Sequence, residues 1–98
     1  MPNQELTIVA KILAKPTNKE LVQHELKKLV DETRPEKGCI LYDLHQDTQN
    51  ENLFLFYEKW ESYDLWQEHV KAKPLKRFRK ATKGAIEEIV VSELAHIH

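Results

Sequence analysis

Glu58 stands in the period of Phe54, Phe56 and Trp60, inside the stretch LFLFYEKW. A carboxyl group on that apolar face must be hydrogen-bonded, paired, or held protonated by desolvation. Such a group is a candidate general acid or base, and equally a structural hydrogen-bonding partner for a turn or helix end. His69 lies one helical turn after Leu65, on the apolar stripe Leu65, Trp66, His69 and Val70. A lone histidine on a core face is ordinarily a packed residue. Its company raises it to a candidate catalyst, because Glu58 and Trp60 lead directly into its helix. With Tyr42, Phe54, Phe56 and Trp66 these residues are expected to line a pocket between sheet and helices, and an apolar pocket with few polar groups suits a planar aromatic ligand.

The other polar candidates are weaker. His45 shares a strand face with Asp43 and Leu41 in GCILYDLHQD, and an Asp-His pair two apart can orient an imidazole. The expected place of His45 is an interface or rim, with a secondary role in substrate binding. His96 and His98 are also two apart but lack a third ligand of fixed spacing, so no metal site is expected. Cys39 carries no nucleophile motif and reads as a small packed residue. Glycine occurs only at Gly38 and Gly84, so there is no phosphate-binding loop, and HExxH, CxxC and GxSxG are absent.

The elements that must position these residues can be read in order. Leu6 to Ala14 alternates with period two and is bounded by Pro16, which gives a first strand. Thr17 and Glu20 have the spacing of a capping box, and Leu21, Val22, Leu26, Leu29, Val30 and Thr33 follow at helical spacing. This helix is expected to stop near Arg34, before Pro35. GCILYDLHQD and LFLFYEKW form a hairpin in which paired numbers sum to 100, so that His45 opposes Leu55 and Asp43 opposes Tyr57. Ser62 caps a second helix, Pro74 interrupts it and starts a further turn carrying Leu75, Phe78 and Ala81, and Gly84 is a helix stop. The last strand runs from about Ile86 to Leu94. The order βαββαβ is the ferredoxin-like arrangement, an α+β fold with helices on one face of an antiparallel sheet, spanning residues 1–98 as a single domain.

The uncovered face should be polar in a monomer. Here it is assigned Val9, Leu13, Leu53, Leu55, Tyr57, Ile89 and Val91, which calls for another layer. A second copy packed sheet against sheet supplies it, so a homodimer is expected.

Fifteen basic and sixteen acidic residues leave a formal charge of -1, which gives no drive towards nucleic acid or an anionic membrane. The basic run from Lys71 to Lys83 reads as a solvated helix face. One cysteine excludes an internal disulfide. The opening MPNQELTIVAKIL lacks the pattern of a signal peptide, and no apolar run approaches membrane-spanning length. A cytoplasmic protein is the expectation.

LTIVAKILAKP, RPEKGCILYDLHQD and LFLFYEKWESYDLWQEH together resemble the antibiotic biosynthesis monooxygenase family, including its small quinol-monooxygenase-like members. The resemblance covers nearly the whole chain, and the combination of G-C-x-x-Y-D-L-H-Q-D, F-Y-E-x-W and a downstream histidine is fairly specific. It implies a ferredoxin-like subunit in a dimeric α+β barrel. It also implies oxygenation of a small aromatic quinol or phenol by molecular oxygen, without metal or organic cofactor. Trp60 would then be a wall of the pocket, with Glu58 and His69 as its polar groups and Tyr42 and His45 beside them. Two departures stand out. Pro74, in KAKPL, occupies the place where many members carry a second histidine, so activity or substrate differs wherever that histidine takes part. The first-strand stretch VAKIL lacks the asparagine of haem-degrading relatives, which disfavours haem degradation. Two alternatives remain: an isomerase of a small hydroxyketone or lactone, and a non-catalytic dimeric protein that binds an aromatic ligand.

Overall fold

A computed structural model describes residues 4–98. Strand β1 (Leu6–Ala14) is followed by a short 3-10 turn (Pro16–Asn18) and helix α1 (Lys19–Thr33). The hairpin β2 (Cys39–Gln46) and β3 (Leu53–Trp60) comes next, then α2 (Tyr63–Lys71), α3 (Lys73–Ala81) and β4 (Ile86–Leu94). The sheet order is β2-β3-β1-β4 and every pairing is antiparallel, which is the ferredoxin-like α+β fold. No helix among the described residues is long and apolar enough to cross a membrane.

The alternation along each strand decides what the sheet buries. Ile8, Ala10, Ile12 and Ala14 from β1 and Phe54, Phe56, Glu58 and Trp60 from β3 point to the helices and are buried. Val22, Leu26, Leu29 and Val30 of α1 close over them. Leu21 falls outside that stripe and is exposed. Ser62 caps α2 as expected, its hydroxyl accepting from the Leu65 amide at 3.2 Å. Ala72 is extended and serves both as the end of α2 and the start of α3, with Pro74 in the first turn, where its missing N–H costs no hydrogen bond. In α3, Phe78 is buried and Ala81 is not; Thr82, just beyond, takes the inner position.

Three further expectations need correction. The capping box does not form. The turn at Pro16 moves the N-cap of α1 to Asn18, which puts Glu20 one residue too early to reach back. Thr17 instead donates to the Asn18 side chain, and Glu20 pairs with Lys19. The hairpin register sums to 100 from Leu41 to Gln46 as expected, but it slips at its outer end, where Cys39 opposes Trp60 and Ile40 is left exposed.

The third concerns β4. A bulge separates the pairs Leu13–Glu88 and Ala14–Ile86, so Glu87 is the extra residue. Beyond it Ile12 faces Ile89, Ala10 faces Val91 and Ile8 faces Glu93. Ile89 and Val91 therefore lie on the helix side of the sheet, not on the open side. They are each 50% exposed because the helices do not reach this edge strand. The open face retains an apolar set without them: Val9, Leu13, Val90 and Leu94, with Leu53, Leu55 and Tyr57.

Candidate functional site

Between the helix side of the sheet and the helices lies a cavity of about 360 Å³. Ile8, Ala10 and Ile12 form its floor, with Tyr42, Phe56 and Glu58 beside them, and Leu26, Trp66, His69, Leu75 and Phe78 come from the helices. Its exposed lining residues, Arg79, Ile89, Val91 and Glu93, mark the mouth at the β4 edge.

Glu58 is only 4% exposed. Its Oε1 accepts a hydrogen bond from Trp60 Nε1 at 2.9 Å, and its other oxygen has no hydrogen bond among the described residues. Burial penalises the charged form and pushes the carboxyl up to about 7, against the Trp60 bond, which favours the carboxylate. The alternation that makes this strand apolar is thus what turns Glu58 into an acid able to gain or lose a proton near neutrality.

His69 is 3% exposed. The same stripe that docks α2 carries it inward, one turn beyond Leu65. Its ring stacks on the Trp60 indole with centroids 4.7 Å apart, and the Tyr42 ring meets it edge-on at 5.4 Å. Nδ1 lies 2.9 Å from Glu36 Oε1, while Nε2 makes no hydrogen bond among the described residues. Burial lowers the imidazole pKa, aided by the Arg79 charge, while the Glu36 hydrogen bond and charge raise it. Burial likewise pushes the Tyr42 phenol far up, with the Glu58 charge adding to it, so Tyr42 is a neutral wall.

The expected site residues separate into two groups. Glu58, His69, Tyr42, Phe56 and Trp66 line one cavity. Trp60 does not line it: fully buried, it backs the His69 ring and supplies the donor to Glu58. Phe54 is a core residue, 1% exposed, outside the cavity. His45 is exposed and pairs with Leu55 on the opposite side of the sheet, so it does not reach the cavity. Nor does Asp43 orient it; Asp43 accepts instead from Arg34 Nη2 at 3.0 Å. Cys39 is half-buried with its thiol pushed up to about 11 by burial, in keeping with a packing role. Among the described residues no group of three or more metal-ligating side chains converges.

Sequence reasoning missed Glu36 and Arg79. Glu36 sits in the α1–β2 turn, 33 residues from its partner, where no periodicity signals a contact. Arg79 was hidden in the basic run taken for a solvated face, although it follows the buried Phe78.

A family model described as "Antibiotic biosynthesis monooxygenase" matches residues 6–81. The chain is 36% identical over 55 residues to "Putative monooxygenase YcnE" of Bacillus subtilis, which covers 56% of this chain and 58% of that protein. It is 33% identical over 55 residues to "Uncharacterized protein sll1783" of Synechocystis, covering 56% of this chain and 37% of that one. The matches thus span only about a third to three-fifths of the curated relatives' lengths. The crystal structure of PA3566 from Pseudomonas aeruginosa superposes with a TM-score of 0.93 at 30% identity, covering 100% of this chain and 99% of that one.

Proposed function

The chain belongs to the antibiotic biosynthesis monooxygenase family, and from that premise we propose that it oxidises a small aromatic quinol or phenol with molecular oxygen, without a metal or organic cofactor. The observation that carries this reading is the pairing of an apolar, aromatic-walled cavity with two buried proton-transfer groups, Glu58 and His69. A ring held against Tyr42, Phe56 and Trp66 shares the cavity with Glu58 from the sheet and His69 from α2. The neutral imidazole of His69 accepts the phenolic proton through Nε2. The resulting phenolate is electron-rich at ring carbon and bonds there to dioxygen. The hydroperoxide adduct then loses water and leaves a carbonyl. One oxygen atom enters the product, the other leaves as water, and the four electrons come from the substrate. The His69 imidazolium returns its proton to the peroxide, and Glu58, titrating near neutrality, gives the departing oxygen the proton that makes it water and takes back the one released from the ring carbon. An apolar cavity filled by the substrate favours the sequence because it strengthens each charge interaction and shields the adduct from side reactions.

The open face is part of the same reading. Val9, Leu13, Val90, Leu94 and Tyr57 form an apolar surface that we assign to a homodimer contact, sheet against sheet.

Oxygen uptake tests the function. Purified, metal-free protein is given a panel of reduced quinols and polyphenols, each measured against its spontaneous autoxidation. Uptake above background, lost in His69→Ala, is the expected result. A folded protein that consumes no oxygen over the panel would sink it, and would favour the isomerase or the binding protein. Turnover of a hydroxyketone without oxygen would then identify the isomerase.

A further inference from the structure

We propose that Glu36 is a positioning residue: it holds His69 in the Nδ1–H tautomer, so that a bare Nε2 is the nitrogen offered to the cavity. Only the catalytic use of that nitrogen rests on the function proposed above; the tautomer itself does not.

The geometry is specific. Glu36 Oε1 and His69 Nδ1 are 2.9 Å apart, with the imidazole 3% exposed and the glutamate side chain 19% exposed. A carboxylate only accepts, so the shared proton sits on Nδ1, and a neutral ring then carries none on Nε2. Glu36 is held from both sides, its amide donating to Thr33 O at 2.9 Å and its carbonyl accepting from Cys39 N at 3.2 Å. The next constraint is Gly38, with φ at +88°, whose missing Cβ would stand 2.6 Å from the Leu65 Cβ. Leu65 is one turn before His69 on α2, so the turn that carries Glu36 is pressed against the helix that carries its partner. Gly38 O also accepts from Glu61 N at 2.9 Å, tying the turn to the start of α2. The second carboxylate oxygen of Glu36 is buried without a partner. Burying an unsatisfied polar atom costs stability, and a role in fixing the imidazole gives a reason for its retention.

Five groups bear on the titration of His69. They are Glu36 from the α1–β2 turn, Tyr42 from β2, Trp60 from β3 with Glu58 bonded to it, and Arg79 from α3. Of these, Glu36 is the one hydrogen-bonded to the ring.

The test is long-range proton–nitrogen correlation NMR on 15N-labelled protein at neutral pH, with His69 assigned by comparison with His69→Ala. Wild type is expected to show Nδ1 protonated and Nε2 bare. In Glu36→Ala the bare nitrogen should move to Nδ1, and the pH at which His69 protonates should fall. Glu36→Gln keeps the volume, removes the charge, and should lower that protonation pH in a folded protein. A wild-type ring protonated at Nε2, or a tautomer and titration unmoved in both variants, would overturn the proposal. If an aromatic substrate is turned over, Glu36→Ala should lower kcat by about 10²-fold, the low end of what positioned acid–base groups contribute. An unchanged kcat would overturn the positioning role. If no substrate is oxidised while the wild-type tautomer stands, the oxygenase reading fails and the Glu36–His69 assignment survives.

Discussion

Glu58→Gln isolates the cost of keeping a carboxyl group in the core. Burial raises this acid from its ordinary 4.5 to about 7. The folded state therefore binds a proton that the unfolded chain has released, and stability falls as pH rises between those values. Integrated over that window, the loss is about 3 kcal/mol, complete above pH 7 and absent below pH 4.5. Glutamine has nearly the same volume, and its carbonyl oxygen can still accept from Trp60 Nε1, so the variant removes the ionisation and little else. Urea unfolding of both proteins from pH 4 to pH 8.5, at one fixed protein concentration, gives the difference. Other titrating groups are common to both and cancel where they are uncoupled from Glu58. Glu58→Gln should match wild type at the acid end and be about 3 kcal/mol more stable at the alkaline end. A difference that is flat with pH would mean that Glu58 titrates as an exposed acid and refute the argument. A difference that grows in favour of wild type would mean that a cation stabilises its charge.

Trp60→Phe removes the donor that favours the Glu58 carboxylate, so the Glu58 pKa should rise further, as read from the pH dependence of its 13C carboxyl signal. Gly38→Ala and Gly84→Ala both force a left-handed backbone onto alanine, at about 1–2 kcal/mol. Only the Gly38 variant also drives a methyl group into Leu65, so its thermal or urea stability should drop by about a further 1–3 kcal/mol, while Gly84 has open space around it. Val90→Lys places a charge on the open face at a side chain already 46% exposed. It should leave the fold intact and shift a dimer towards monomer in analytical ultracentrifugation; a wild type that sediments as a monomer would refute the assignment of that face.

The elements of this protein are legible because their boundaries rest on local chemistry. Pro16, Ser62 and Pro74 act through neighbouring backbone groups, and the alternation of Phe54, Phe56, Glu58 and Trp60 directly states which side chains share a face. The same alternation brought Glu58 into the candidate site. What stayed hidden was non-local or depended on one residue of register. Glu36 meets His69 only after α1, the hairpin and α2 have assembled. Thr17 and Glu20 have the right spacing, but the chain begins its helix one residue later than that spacing requires. Trp60 belongs to the site's neighbourhood, yet the stacking of His69 over it puts the indole behind the imidazole, which no spacing rule foretells. In IEEIVVSEL both alternating sets contain apolar residues, so the pattern cannot say which looks inward.

The bulge at Glu87 makes that last ambiguity a matter of phase. Upstream of it Ile86 looks to the core; downstream Ile89 and Val91 look the same way only because Glu87 stands outside the ladder. Drawing Glu87 into the ladder opposite Leu13, with Ile86 kept opposite Ala14, would set every later residue back by one pairing position, whereas deleting Glu87 would leave the pairing as it is. Glu88, Val90, Ser92 and Leu94 would then turn towards the helix side, and Ile89, Val91 and Glu93 towards the open side. Hydropathy would hardly change, since aliphatic side chains would replace aliphatic side chains on each surface. Glu93 would leave the cavity mouth, however, and be planted among the apolar residues of the other face. Glu87 thus works as a reading-frame marker written in space: its value to the protein lies in being skipped by the ladder, whatever its own side chain touches.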